Sequence, residues 1–279
     1  MTKNALPSKK EFVELISQSL LARAADLKAR FEASASAVGV RHVAIDDLLP
    51  HDVATAIAAA FPDGRQMRLM DSFREKKFTS KAYDRFEPVL GDVTFAFQDP
   101  RVVEIVEGIT GIAEQVPDSL LYAGGLSAMA LGHFLSPHID NSHDSSRQYY
   151  RTLNLLYYVT PDWDEPNGGN LQLWDRKVSK NVTIHSRFNR LVLMETTPTS
   201  WHSVNEVQVD GLRKCVSNYY FSRRSPTGQE YFNITAFSAP PSQPALRLWS
   251  RVDANLRQLL RKVKPAGLGK VDVYDGPPR

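Results

Sequence analysis

A single cysteine, Cys215, stands among 279 residues, so no intrachain disulfide can form and a disulfide-stapled secreted scaffold is excluded. No apolar run reaches the roughly 20 residues needed to cross a bilayer as a helix. An excess of one sign of charge is missing too. The 34 basic and 31 acidic side chains leave a formal net charge of +3, spread along the chain instead of massed in a stripe. Neither nucleic acid nor a membrane surface is therefore expected as a partner. Near the N-terminus Lys3, Lys9, Lys10 and Glu11 interrupt the apolar residues before a signal-peptide core can form, which predicts a cytoplasmic protein. Internal repeats and low-complexity tracts are absent as well. What is present is an ordinary globular composition, 42% hydrophobic, with length enough for a sizeable core.

The apolar pattern divides the chain. From Lys9 to about Glu32, Phe12, Leu15, Ile16, Leu20, Leu27 and Phe31 recur at three- and four-residue intervals, which predicts an amphipathic helix. His51 to Phe61 repeats the pattern, and Asp99-Pro100 opens a third helix that Gly108 or Gly111 closes. Beyond about Leu120 the chain turns to short runs of leucine, valine, tyrosine and threonine between glycine, proline, asparagine and aspartate turns. Strands are predicted at Leu126–Gly132, Leu135–Asp140, Tyr149–Thr160, Asn170–Trp174, Lys180–Ile184, Arg190–Glu195, Trp201–Val207 and Lys214–Ser222. Eight closely spaced strands suggest a sandwich or barrel. Helical spacing returns from Ala245 to Val263, before a tail ending Gly276-Pro277-Pro278-Arg279.

The chemistry centres on His138-Ile139-Asp140 and on His202, 64 residues after His138. On a strand, side chains at i and i+2 share a face, so His138 and Asp140 can point at one metal while a histidine from a distant strand completes the set. Two neutral imidazoles and one carboxylate suit Fe(II) and leave positions open for a chelating cosubstrate and O2. Further on, Arg213, Cys215, Ser217 and Tyr219 share one face of the last strand. A guanidinium and a hydroxyl four residues apart on that face form a receptor for a carboxylate, which arginine binds through two parallel hydrogen bonds. Lys214 falls on the other face. His133 and His143 flank the metal motif and are read as loop or substrate contacts, and Gly168-Gly169 as a turn feeding the next strand. Asn189-Arg190 is read as structural and Cys215 as packing. Trp174, Arg147, Tyr219, Arg223 and Arg224 are expected near the mouth of the site.

In this order, Pro137-His138-Ile139-Asp140, Leu155-Leu156-Tyr157-Tyr158-Val159, Gly168-Gly169-Asn170-Leu171, Asn189-Arg190-Leu191-Val192-Leu193, Trp201-His202-Ser203-Val204 and Arg213 with Tyr220-Phe221 form a series more specific than any one member. The stretch from about Leu131 to Ser222 resembles the core of the Fe(II)/2-oxoglutarate-dependent dioxygenases, and within them the prolyl-hydroxylase-like branch. The resemblance implies a mainly β fold, a double-stranded β-helix of the jelly-roll, cupin-like kind with supporting helices at both ends. It divides a single oxygenase domain, 1–279, into helical support over 1–119, a catalytic core over 120–225 and a C-terminal segment and helix over 226–279. It implies Fe(II) held by His138, Asp140 and His202, and 2-oxoglutarate with its distal carboxylate on Arg213, aided by Ser217 and a phenolic hydrogen bond from Tyr158. O2 is the second cosubstrate. The implied reaction is hydroxylation of an unactivated C–H bond with succinate and CO2 as co-products. The carboxylate of Asp140 favours it, because halogenating relatives carry a small residue there.

The residue pattern leans to a small-molecule substrate, an amino acid, sugar or natural-product intermediate, since no peptide-recognition module is evident. Hydroxylation of a prolyl or other side chain in a protein is the alternative. Two readings from other classes are a non-catalytic module retaining a metal or diacid pocket, and a zinc hydrolase on the same three ligands. The protein is expected to act as a monomer or homodimer.

Overall fold

The computed structural model describes residues 6–239 together with Tyr274 and Gly276. Six helices, α1 (Lys9–Leu21), α2 (Ala24–Ala33), α3 (Ala35–Val38), α4 (His51–Ala60), α5 (Pro88–Ala96) and α6 (Pro100–Thr110), accompany thirteen strands. The strands are β1 (His42–Ile45), β2 (Arg68–Ser72), β3 (Glu75–Ser80), β4 (Val116–Pro117), β5 (Gly125–Met129), β6 (Phe134–Ile139), β7 (Tyr150–Tyr158), β8 (Leu171–Trp174), β9 (Asn181–Ile184), β10 (Arg190–Glu195), β11 (His202–Val204), β12 (Arg213–Ser222) and β13 (Ala236–Phe237). Ten of them pair antiparallel in the order β1-β10-β7-β12-β5-β3-β6-β11-β8-β9, with β13 added to β6, β2 to β3 and β4 to β12, a nearly closed jelly roll with β10-β7-β12-β5 on one side and β6-β11-β8-β9 on the other. The expected double-stranded β-helix is the fold.

Alternation along the central strands sorts two cores. Leu153, Leu155 and Tyr157 of β7, Leu191 and Leu193 of β10, and Val216 and Tyr220 of β12 turn outward into one buried cluster with Phe12, Ile16 and Leu20 of α1, Leu90 and Val93 of α5, and Val102 and Val106 of α6. Their neighbours Tyr158, Val192, Met194 and Cys215 turn inward to Leu171, Leu173 and Ile184. Since successive strand residues face opposite ways, each central strand serves the helical layer and the barrel interior at once. Complete burial of Phe12, Ile16 and Leu20 stabilises the α1 contact by about 1.5–3 kcal/mol per side chain. Helix α6 starts as expected: Asp99 Oδ1 accepts from the Arg101 amide at 3.0 Å, Pro100 fills the first turn, and Gly111 ends it at φ 69°.

All eight predicted strands are present, and three expectations need correction. The helix predicted from Lys9 to Glu32 breaks between Leu21 and Ala24, where the Arg23 guanidinium turns back to the Ser19 and Asp46 carbonyls. The stretch 1–119 is less helical than expected, because β1 extends the sheet beside β10 and β3 bridges β5 and β6. Strand β1 has only four residues, and β3 is half-buried along its whole length and shows no alternation. Helix α5 went unpredicted because it is buried on nearly all sides and so has no polar face to give it a period. The helix expected at Ala245–Val263 and the end of the tail lie outside the described residues.

Asn189 is structural, as read. At φ 58°, its amide accepts from Leu49 N at 3.1 Å and from the Tyr157 hydroxyl at 2.8 Å, and donates to Leu49 O at 2.7 Å. Asn189→Ala is expected to lower stability by about 3 kcal/mol, from buried groups left unpaired and a side chain forced into the left-handed region. Asn189→Gly should recover the part due to backbone strain. Urea midpoints at unchanged m-values would test this, and equal midpoints for alanine and wild type would refute it.

Candidate active site

His138 lies on β6 and Asp140 just past its end, two residues on and on the same side. Strand β11 pairs with β6 so that His202 stands directly across from His138, ring centroids 4.1 Å apart. Asp140 reaches both imidazoles: Oδ1 is 3.6 Å from His138 Nε2, and Oδ2 is 3.5 Å from His202 Nε2. One ligand atom from each residue falls within 4.8 Å of the others, the one such group of histidine, cysteine and acidic side chains among the described residues.

The backbone fixes which nitrogens face the centre. His138 Nδ1 lies 3.0 Å from the Ser136 carbonyl and His202 Nδ1 3.0 Å from that of Ser200. A carbonyl only accepts, so both Nδ1 atoms carry the proton and the Nε2 lone pairs are left for a metal. Burial pushes the His202 pKa down to about 4, so this ligand is neutral at physiological pH. Burial alone would raise the Asp140 pKa, but Arg151, helped by both imidazoles, holds it well below the usual carboxylate range. Two imidazole nitrogens and one anionic oxygen converging from one side are a donor set that would fit a divalent iron.

Arg213 projects from β12 into the same barrel and is 3% exposed. Its Nε donates to the Gly169 carbonyl at 3.0 Å, Nη2 meets Met129 Sδ at 3.1 Å, and the guanidinium lies 5.2 Å over the Tyr158 ring. No carboxylate pairs with it among the described residues. A buried cation without a counter-charge is costly, which marks this position for an anion that arrives later. Cys215 sits opposite Tyr158 across β7 and β12, and the Ser217 hydroxyl, on the same inward face, lies 3.6 Å from Cys215 Sγ. Burial raises the Tyr158 pKa, so its hydroxyl remains a neutral donor. Lys214 turns the other way, as expected, and its Nζ donates to the Ala58 carbonyl at 2.7 Å. The strands thus bring Arg213 to Tyr158 and set Ser217 on the wall they share.

Other sequence readings divide. Gly168 and Gly169 form the expected turn, with φ 77° and 68°, and a Cβ on Gly168 would lie 2.0 Å from the Glu206 carbonyl oxygen. His133 packs on Phe78 and His143 on Tyr150, so neither joins the metal group. Trp174 is not at the mouth: register places it with Gln172 and Ser203 on the sheet face opposite His202, where its indole donates to Ser203 Oγ. Tyr219 lies inside the barrel beneath Arg151. Two residues the sequence analysis passed over hold Asp140 Oδ2, Arg151 Nη1 at 3.0 Å and Asn154 Nδ2 at 2.9 Å. Asn154 was findable, since it lies four residues before Tyr158 on the same face of β7. Arg151 was not, because it is out of phase with both.

The fold and this group of side chains define a double-stranded β-helix protein with a candidate two-histidine, one-carboxylate metal site. Residues 124–222 match the family described as the 2OG-Fe(II) oxygenase superfamily, whose cofactors are Fe(II), 2-oxoglutarate and O2. The chain is 31% identical over 116 residues, 38% of its own length, to a protein of Xenopus laevis named prolyl 3-hydroxylase OGFOD1. It spans 22% of that relative, and 17% of the mouse protein of the same name. Among solved structures, a prolyl 4-hydroxylase of Phytophthora capsici superposes with TM-score 0.54 at 16% identity, over 94% of this chain and 81% of that one. A prolyl hydroxylase of Trichoplax adhaerens gives 0.50 at 16% identity, over 76% and 96%. Over residues 124–222 this chain is similar to the 2OG-Fe(II) oxygenase superfamily, and both of these sequence relatives are prolyl hydroxylases by name.

Proposed function

We propose that the protein is an Fe(II)- and 2-oxoglutarate-dependent hydroxylase. His138, Asp140 and His202 hold the metal, and Arg213, with Ser217 and Tyr158, receives the distal carboxylate of 2-oxoglutarate. One observation carries this reading: a tied-back metal triad and a buried arginine without an acidic partner share one barrel. When bound, iron with 2-oxoglutarate and O2 supplies the oxidising power, and succinate and CO2 leave as co-products. The protein's own part is orientation and exclusion of water. His202, kept neutral by burial, offers its Nε2 without first losing a proton, His138 turns the same atom toward the centre, and Asp140 arrives already ionised. The guanidinium of Arg213 fixes one end of the diacid so that the other is directed at the metal. Leu171, Leu173, Val192 and Met194 line the interior with apolar surface. The zinc-hydrolase reading leaves this anion receptor without a use.

The prime substrate we propose is a prolyl side chain in a polypeptide, which replaces the leaning to a small molecule. The names of the two sequence relatives support it. So does an aromatic track: Phe73 is 45% exposed at the β2–β3 turn, the Arg74 guanidinium lies 4.2 Å from its ring and 5.5 Å from that of Phe237, and Phe237 stacks on His138 at 5.4 Å. Flat aromatic surface is what proline rings settle on. No helix among the described residues is long and apolar enough to cross a membrane. The unpaired, buried Cys215 supports a cytoplasmic setting as part of the proposal.

The test is succinate formation from 2-oxoglutarate by Fe(II)-loaded protein, with and without proline-bearing peptides, and mass analysis for one added oxygen. Peptide-dependent succinate with oxygen on proline is the expected outcome. Binding of 2-oxoglutarate with no succinate under any condition would make the non-catalytic module the better reading. Turnover stimulated only by small molecules would remove the prolyl assignment.

A further inference from the structure

Asp140 is gripped from the side away from its neighbours on β6. Besides the two donors on Oδ2, Asn233 Nδ2 donates to the Asp140 backbone carbonyl at 2.8 Å. Arg151 is itself braced: Nη2 donates to Asn141 Oδ1 at 2.9 Å, and the guanidinium lies 4.6 Å from the Tyr219 ring and 5.9 Å from that of Phe221. Arg151 and Asn154 are 3% and 2% exposed, so neither is a surface charge swinging past. Both oxygens border the centre, Oδ1 3.6 Å from His138 Nε2 and Oδ2 3.5 Å from His202 Nε2, but only Oδ2 carries the two donors and Oδ1 receives neither.

A carboxylate whose oxygens are both free can chelate a metal through the pair. That second bond would consume a coordination position that a bidentate cosubstrate or O2 requires. Resting on the metal-site reading above, we propose that Arg151, seconded by Asn154, is a positioning residue that reserves Oδ2 of Asp140, so that the carboxylate serves the metal through Oδ1 alone. The ion pair gives the grip its strength, because a charge-assisted hydrogen bond to a buried guanidinium is stronger than a neutral one. The two aromatic rings hold the guanidinium in place whether or not a metal is bound.

The experiment uses full-length protein loaded with Mn(II) and reads coordinated waters by water-proton relaxation, together with anaerobic 2-oxoglutarate affinity. Arg151→Gln is expected to hold one water fewer per Mn(II) than wild type, as the freed Oδ2 closes onto the metal. Its 2-oxoglutarate affinity should fall about tenfold or more, in line with loss of a partner behind a metal ligand. Arg151→Met, which packs between the same rings, should do likewise and stands in if the glutamine variant does not fold. Arg151→Lys keeps a cationic donor and should match wild type in both readouts, so a water lost in this variant would count against the proposal. Unchanged hydration and affinity in a folded Arg151→Gln or Arg151→Met protein would overturn it. Wild type that fails to bind Mn(II) would instead refute the metal-site reading on which it rests.

Discussion

With His202 replaced by alanine, Fe(II) binding and the anaerobic visible band of chelated 2-oxoglutarate are expected to disappear together, while the protein stays folded. His202 is the ligand that only chain folding supplies: it lies across from His138 on a strand 64 residues away. Removing a partner that merely orients a metal ligand costs about 10–100-fold in affinity. Loss of a ligand itself should cost more, enough to empty the site at micromolar iron. His202 was chosen over Asp140 because Asp140→Ala would strand the buried Arg151 without a counter-charge and confound metal loss with unfolding. The measurement is titration of anaerobic protein with Fe(II) and then 2-oxoglutarate, beside a thermal melt. A band of wild-type intensity in His202→Ala would remove His202 from the metal site.

Arg213→Met is expected to separate two quantities that usually move together. Without ligand, the variant should be as heat-stable as wild type to within about 1 kcal/mol, because it loses a bond to Gly169 but also a buried cation with no acidic partner. With ligand, it should lose most of the stabilisation that 2-oxoglutarate gives wild type. Cutting one member of a buried, hydrogen-bonded charge pair costs about 2–5 kcal/mol, or about 30-fold to several thousand-fold in affinity. Melting at graded 2-oxoglutarate concentrations reads both quantities at once, since the ligand raises stability by RT ln(1 + [L]/Kd). Ligand-free protein that melts far below wild type would make Arg213 a structural residue. Undiminished ligand stabilisation would remove it from the cosubstrate site.

The likeness between the two predictions lies in where their warrant comes from. Both His202 and Arg213 were named from the chain alone, from residue type, order and strand alternation. Their expected partners were named with them, but alternation alone could not show which strands meet. That His202 faces His138, and that no acid among the described residues pairs with Arg213, follow from which strands pair and from what lines the barrel around them. The family match is confined to residues 124–222, and helices α1 to α6 lie ahead of it.

Sequence by itself determined the faces. The two-residue period of an extended strand is a property of the backbone, so His138 had to share a side with Asp140, and Arg213 with Cys215 and Ser217, whatever the strands packed against. Tertiary structure decided what broke that period and what met across it. Where β7 runs beside β12, Tyr220 pairs with Leu153 and Phe221 with Arg151, so Thr152 is an extra residue. This bulge turns Arg151 inward, onto Asp140, although it lies an odd seven residues before Tyr158. Trp174 went the other way, to the outer face with Ser203, because register with β11 and not aromatic character chose its side. Alternation is set by neighbours along the chain and is legible in it. Register, bulges and the partners of buried charges are set by contacts between distant segments, and only the folded chain brings those together.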